Sequence, residues 1–109
     1  MSKFDEAMED YEASLGGDCD EALLTAVAKG LGPSIYNVDS SKVSCSDKTE
    51  KDRVKNNFLI GKLGLTDGAD LDAAIDAVCE EMGSSNRNKW RAVFYYMLVK
   101  KLGQEAKYA

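Results

Sequence analysis

The chain has 109 residues, of which 44% are hydrophobic and 30% are charged, and its formal net charge at pH 7 is −5. This length can bury a hydrophobic core within one domain, and the composition is too apolar for a disordered protein. The negative charge argues against bulk attraction to nucleic acid or anionic membranes, and the absence of histidine excludes catalysis by Ser-His or Cys-His pairs.

Five segments carry apolar residues at the spacing of three and four that is typical of amphipathic helices. In chain order these stripes are Phe4, Met8, Tyr11 and Leu15; Leu23, Leu24, Val27, Ala28 and Leu31; Val54, Phe58, Leu59 and Leu63; Leu71, Ile75, Val78, Cys79 and Met82; and Trp90, Val93, Phe94, Met97 and Leu98. No segment alternates with period two for long enough to predict a strand. We therefore predict an all-α fold, a compact bundle of about five helices in a single domain over residues 1–109, with residues 103–109 as a tail that can fray.

An apolar residue followed by glycine ends each predicted helix, because glycine readily adopts the left-handed conformation found at helix C-termini. The five pairs are Leu15-Gly16, Leu31-Gly32, Leu63-Gly64, Met82-Gly83 and Leu102-Gly103. Polar residues that can cap a helix N-terminus lie upstream of every pair. In chain order the predicted caps are Ser2, Asp18, Ser44 or Ser46, Asp67 or Asp70, and Ser84 or Ser85.

The predicted fifth helix begins with a polar, basic cluster, SSNRNKWR, from Ser84 to Arg91. Unpaired N–H groups at a helix start and nearby basic side chains favour an anion such as phosphate, and Trp90 offers a face on which a base can stack. The candidate binding residues are Ser84, Ser85, Asn86, Arg87, Asn88, Lys89 and Arg91. The favoured alternative is a capped helix start with a solvated basic face, because no glycine-rich phosphate loop accompanies the cluster.

The uncharged run Ala92–Val99 is apolar or aromatic on nearly all sides, which is typical of a central helix packed on several neighbours. A contact between two copies of the chain is the competing interpretation. Tyr95 and Tyr96 can place their hydroxyl groups at a surface or an interface.

The chain has three cysteines, Cys19, Cys45 and Cys79, and an odd number cannot all pair within one chain. This count favours a reducing, cytoplasmic setting. Cys45 lies at or just before a predicted helix start, near Lys42 and Lys48, and is therefore a candidate reactive thiol, although an inert loop cysteine is the favoured interpretation. Cys79 lies on an apolar stripe and is assigned to core packing.

The acidic run from Asp67 to Asp76 does not match the ligand spacing of a calcium loop, because Gly68 comes too early and Leu71 begins an apolar stripe. Helix capping and a solvated face explain these acids better. No CxxC spacing occurs, and the longest uncharged run in the second half is far shorter than the roughly 18 residues of a membrane span. We predict no metal, no cofactor and no membrane-spanning segment.

Four sequence segments together resemble a family of small bacterial proteins known as domain of unknown function 2853. They are KGLGPSIYN, VSCSDKTE, VKNNFLIGKLGL and MGSSNRNKWRAVFYYMLVKKLG. The resemblance covers almost the whole chain and implies a short, soluble, bacterial protein of one domain. It implies no activity, cofactor or catalytic residue.

Two functional hypotheses follow from the residues. The first is a small non-enzymatic protein-interaction module, with a homodimer or another protein as partner, that uses an acidic N-terminal half and a basic C-terminal helix. The alternative is the binding of an anion, a nucleotide or a nucleic acid at Ser84–Arg91. An enzyme ranks third, because no constellation brings carboxylates, lysines, tyrosines and Cys45 together.

Overall fold

A computed structural model describes residues 3–14, 20–32, 42–83 and 90–108. The α-helices of these residues are α1 (Lys3–Ser14), α2 (Glu21–Leu31), α3 (Lys48–Arg53), α4 (Ala69–Met82) and α5 (Arg91–Lys101). α3 continues into a π-helix, Val54–Ile60, and a 3₁₀ helix, Glu105–Tyr108, follows α5. Within the described ranges there is no strand, only an isolated antiparallel bridge between Lys42 and Trp90. The predicted all-α fold of about five helices is confirmed.

The centre of the fold is α5, as its unbroken apolar composition predicts. Of the run Ala92–Val99, all side chains are buried except that of Met97, which is partly buried. α5 packs against α1, α2 and α4, so that it has neighbours on several sides. The other predicted stripes supply the rest of the core. Their largest fully buried members are Tyr11, Leu24, Val27, Val54, Leu59, Leu63, Ile75 and Val78.

The predicted glycine stops are confirmed wherever they lie within the described residues. Gly32, Gly64, Gly83 and Gly103 have φ angles of 64°, 70°, 91° and 67°, in the left-handed region that glycine reaches without the steric cost of a Cβ atom. The fifth predicted stop, Leu15-Gly16, lies outside the described residues.

Two helices begin at caps other than the predicted ones. The Asp20 carboxylate, rather than that of Asp18, caps α2 by accepting a hydrogen bond of 3.2 Å from the amide three residues on. Asp47 caps α3, and its carboxylate accepts hydrogen bonds from the Thr49 amide at 2.9 Å and the Glu50 amide at 3.4 Å. Ser44 and Ser46 hydrogen-bond each other. Both predicted positions were wrong by one to three residues, because several polar residues stand in a row and each satisfies the same local spacing.

The start of α4 has no side-chain cap. Gly68 occupies the cap position, and the Asp67 carboxylate lies 3.3 Å from the Lys55 ammonium group. Asp70 lies inside the first turn, where its charge interacts favourably with the helix dipole. The predicted capping role of Asp67 or Asp70 was therefore wrong. The predicted cap Ser2 lies outside the described residues, as do Ser84 and Ser85. The predicted start of the last helix at one of these two serines was wrong, because α5 begins at Arg91 with Trp90 in the cap position.

The third predicted helix contains a wider turn that its apolar spacing did not indicate. In the π-helix, backbone hydrogen bonds reach back five residues, as from the Gly61 amide to the Asn56 carbonyl, 3.0 Å, and from Leu63 to Phe58, 2.9 Å. The buried side chains of this turn are Val54, Phe58 and Leu59. Because the turn contains an extra residue, the adjacent side chains of Phe58 and Leu59 both lie on its buried side. π-turns of this kind are frequent at functional sites.

None of the helices in the described part of the chain is long and apolar enough to cross a membrane. After α5 the chain turns at Gly103, and the 3₁₀ helix packs against α2 with Tyr108 half-buried.

Candidate functional site

The basic residue Arg91 lies at the first position of α5 and is almost covered, with 12% of its side chain exposed. Its Nη2 atom lies 2.6 Å from Oε1 of Glu50 in α3 and also donates, at 3.4 Å, to the Lys42 carbonyl. Its Nη1 atom donates to the Tyr95 hydroxyl, one turn further along α5, at 3.0 Å. We call Lys42, Glu50, Trp90, Arg91 and Tyr95 the Arg91 network.

The charges of the network compensate each other. Burial disfavours the charged guanidinium, but the hydrogen bonds from Arg91 to Glu50 and to Tyr95 outweigh that cost, so that the pKa of Arg91 is raised. Burial also raises the pKa of Tyr95, and the neighbouring Arg91 offsets only part of that rise. At physiological pH the network therefore contains an ion pair between Arg91 and Glu50 and the neutral phenol of Tyr95.

Aromatic rings surround the network. The Lys42 ammonium group lies 4.8 Å from the centre of the Trp90 ring, a cation–π contact, and Trp90 in turn packs edge-on against Tyr11 with ring centres 5.7 Å apart. The π-helix stacks Phe58 on Tyr95 with ring centres 4.0 Å apart. The Arg91 network thus joins α1, the segment 42–50, the π-helix and α5, which makes it a structural junction.

Most of the predicted anion site lies outside the described residues, namely Ser84, Ser85, Asn86, Arg87, Asn88 and Lys89. Arg91 is described, and its side chain is 12% exposed with the guanidinium bound to the Glu50 carboxylate. Anion binding at Ser84–Arg91 stays a prediction that depends on the residues before Trp90.

Glu50 was not predicted as a partner of Arg91. The two residues are 41 positions apart, so no local sequence pattern connects them. The only local signal for Glu50 is its place in the first turn of α3, where an acid is favourable at any helix start.

A disulfide joins the turn before α3 to the last part of α4. The Sγ atoms of Cys45 and Cys79 are 2.11 Å apart and their Cα atoms 5.9 Å apart. Cys79 also packs against the core, as its place on an apolar stripe predicts. In this form Cys45 carries no free thiol, so that its reactivity as a thiol stays a prediction for the reduced chain. Cys19 lies outside the described residues.

Acidic residues of α4 and of the turn before it pair with lysines of α3 and the π-helix. Lys51 pairs with Asp76 at 2.9 Å, and Lys55 lies 3.2 Å from Asp72 and 3.3 Å from Asp67, which raise the pKa of its ammonium group. A shallow groove of about 300 Å³ runs between these helices. No cluster of three or more acids or cysteines placed to hold a metal ion occurs in the described ranges.

The fold and the Arg91 network define a small all-helical domain whose central helix is tied to a distant segment by an ion pair and whose fourth helix is tied to the same segment by a disulfide. A family model described as "Protein of unknown function (DUF2853)" matches residues 6–106. The chain belongs to this family. No curated protein was found to match the chain.

Proposed function

We propose that the protein is a non-enzymatic interaction module of the bacterial cytoplasm that self-associates through two surfaces of opposite charge. The observation that carries this proposal is the segregation of charge on the described surface. One surface lies on α1, and the other lies where three elements meet at the C-terminal end of α2.

The first surface is the acidic face of α1, defined by Asp5, Glu6, Glu9 and Asp10. All four side chains are exposed, and their spacing places them on one face of the helix. The opposite face is anchored, because Tyr11 is 1% exposed and packs edge-on against Trp90. The helix is thus held to the domain by its apolar side and presents a row of carboxylates outward.

The second surface is the basic end, defined by Lys29, Lys62 and Lys107, which are all exposed. A Cβ atom added at Gly30 would lie 3.4 Å from Lys62 Nζ and 3.8 Å from a ring carbon of Tyr108. The end of α2, the chain after the π-helix and the 3₁₀ helix therefore meet at this point. Lys29 and Lys107 are the chain neighbours of Gly30 and Tyr108, so three exposed lysines lie on the elements that meet there.

Two surfaces of opposite sign on one molecule favour a symmetric dimer in which the acidic face of each copy contacts the basic end of the other. Association of this kind weakens as salt is added, since exposed charges are screened over about 10 Å at 0.1 M ionic strength but over about 30 Å at 0.01 M.

Sedimentation velocity at low and high ionic strength tests the proposal. We expect association at low salt, its loss at high salt, and its loss at low salt in Glu6→Lys/Glu9→Lys and in Lys29→Glu/Lys62→Glu. A mixture of the two variants restores association, because the lysines introduced on the acidic face of one copy then meet the glutamates introduced at the basic end of the other.

The matched control is Asp70→Lys/Glu80→Lys, which makes the same change of charge at exposed positions of α4, one of them in the first turn as Glu6 is in α1. This variant keeps its own association. When it is mixed with Lys29→Glu/Lys62→Glu, it does not restore the association of that variant. A parent protein that stays monomeric at low salt and high concentration contradicts the proposal.

A further inference from the structure

We infer that Cys45 and Cys79 form a thiol–disulfide exchange site that opens and closes in the folded protein by reaction with a low-molecular-weight thiol of the glutathione class. This inference is independent of the proposed self-association. It rests on where the disulfide lies, on what holds the chain on either side of it, and on the exposure of the turn that contains Cys45.

The disulfide lies at the surface of the helical bundle. Cys45 and Cys79 are both only partly buried, and the residues on either side of Cys45, Ser44 and Ser46, are exposed. Cys45 is on a turn, whereas Cys79 follows the fully buried Val78 within α4. An incoming thiolate therefore meets least obstruction at the Cys45 sulfur, and Cys79 is the group that leaves.

The turn that contains Cys45 is held by contacts other than the disulfide. On one side Val43 is 5% exposed, and the Lys42 carbonyl accepts a hydrogen bond from Arg91 while Lys42 bridges to Trp90. On the other side Asp47 caps α3. Opening the S–S bond leaves these contacts in place.

The cysteine of α4 is held in the same way. Leu71, Ile75 and Val78, which share its apolar stripe, are 4%, 2% and 0% exposed. Since both backbones are anchored with the two Cα atoms 5.9 Å apart, the two thiols stay close enough to reform the bond. A chain of this length with so extensive a core does not need a disulfide in order to fold. In the proposed cytoplasmic setting, disulfides are usually transient and serve catalysis or redox sensing.

The exchange proceeds in two balanced steps. A thiolate attacks Cys45 Sγ, the S–S bond breaks, and Cys79 departs as a thiolate that takes up a proton. A second thiolate attacks the outer sulfur of the mixed disulfide, which releases Cys45 as a thiolate and the two small thiols as their own disulfide. Two electrons and two protons pass from the small thiols to the protein.

The test uses the full chain with Cys19→Ser, so that only the two paired cysteines remain. The protein, started from oxidised and from reduced material, is equilibrated in glutathione buffers of varied ratio, alkylated and weighed by mass spectrometry. We expect the same oxidised fraction from both starting points at each ratio. Far-UV and near-UV circular dichroism retain the folded signals in both forms.

The single variants locate the reacting sulfur. In the same background, Cys79→Ser takes up one glutathione from the oxidised buffer, because the resolving thiol is missing, and Cys45→Ser takes it up more slowly. The matched control without either cysteine takes up none. A bond that opens only after denaturation, a reduced chain that loses its near-UV signal, or a failure of Cys45 and Cys79 to bond each overturns the inference.

Discussion

The guanidinium of Arg91 lies 2.6 Å from the carboxylate of Glu50, although the two residues are 41 positions apart in the chain. Both side chains are largely covered, at 12% and 16% exposure. This ion pair closes the segment that carries Cys45 over the start of the central helix. It makes the stability of the fold depend on a polar contact beside the core residue Tyr95.

Removal of Glu50 leaves the Arg91 charge largely buried and without its carboxylate. We expect Glu50→Ala to lower the free energy of unfolding by about 2–4 kcal/mol, measured by urea denaturation. The matched control is Glu81→Ala, whose partner Lys101 and own side chain are 33% and 48% exposed, and it costs less than about 1 kcal/mol. Equal losses in the two variants contradict the structural role of the Arg91 network.

Tyr95 makes the protein sensitive to alkali. Because burial raises its pKa in the folded state, the unfolded chain ionises first, and its contribution to stability is complete below the unfolded pKa of about 10 and is lost as the pH rises further. Thermal unfolding followed between pH 8 and pH 12, roughly the range that brackets this pKa, measures the effect.

Tyr95→Phe removes this ionisable group together with its hydrogen bond to Arg91. The variant is less stable by about 1–2 kcal/mol at neutral pH and shows a shallower loss above pH 10 or so. Phe at this position keeps the stacking on Phe58, so the comparison isolates the hydroxyl group. A parallel decline of the two proteins above that pH argues against Tyr95 as the source.

The π-helix leaves no room for a Cβ atom at Gly61, where it would lie 2.8 Å from the Asn57 carbonyl oxygen. Gly61→Ala is therefore expected to destabilise the protein by about 1–3 kcal/mol, in spite of the higher helix propensity of alanine. The same substitution at Gly30, within α2, meets the flexible end of Lys62 at 3.4 Å and a ring carbon of Tyr108 at 3.8 Å, which are ordinary contacts. It is therefore neutral or stabilising by up to about 1 kcal/mol. Calorimetry of the two variants decides whether the wide turn persists, since an ordinary α-helical turn tolerates both substitutions.

Glu12 and Glu21 bring two carboxyl groups together between α1 and α2. The hydrogen bond with Glu21 and the repulsion between the two charges raise the pKa of Glu12. This contact therefore stabilises the fold below the ordinary pKa of the group and loses that contribution as the pH rises through the raised value. Glu12→Gln keeps a neutral partner at every pH, so we expect a higher melting temperature than the parent at neutral pH and a smaller difference below pH 4 or so. Glu6→Gln, at an exposed position of α1 that does not contribute to the raised pKa of Glu12, is the control, and an identical pH dependence in both variants contradicts the pairing.

The helices themselves were predictable because their signals are local. The apolar stripe of each helix repeats within four residues, and the glycine at positions such as Gly32 or Gly83 needs only its own φ angle to end a helix. Caps were less predictable, since Asp20 and Asp47 compete with polar neighbours that satisfy the same rule and differ only in how the helix packs. The π-helix had no local signal, because its apolar spacing resembles that of an ordinary helix.

In the candidate binding cluster, Arg91 shows the same difference between what local sequence predicts and what packing decides. The sequence predicted that the last helix begins after a cap at Ser84 or Ser85, whereas α5 begins at Arg91 with Trp90 in the cap position. Whether the charge of Arg91 faces solvent, an anion or a carboxylate depends on the element packed beside it. That element is α3, which carries Glu50, and neither the composition nor the spacing of the cluster indicates it.

The amino-acid sequence alone determined the helical class, the central position of the aromatic run Ala92–Val99 and the glycine ends, because each depends on interactions within a few residues. Only the tertiary structure decided that Arg91 binds Glu50 and that Cys45 bonds to Cys79, residues 41 and 34 positions apart. The physical reason is that an apolar stripe specifies which face of a helix is buried but not which other helix covers it. Polar and covalent partners at long range are settled only when the helices have packed.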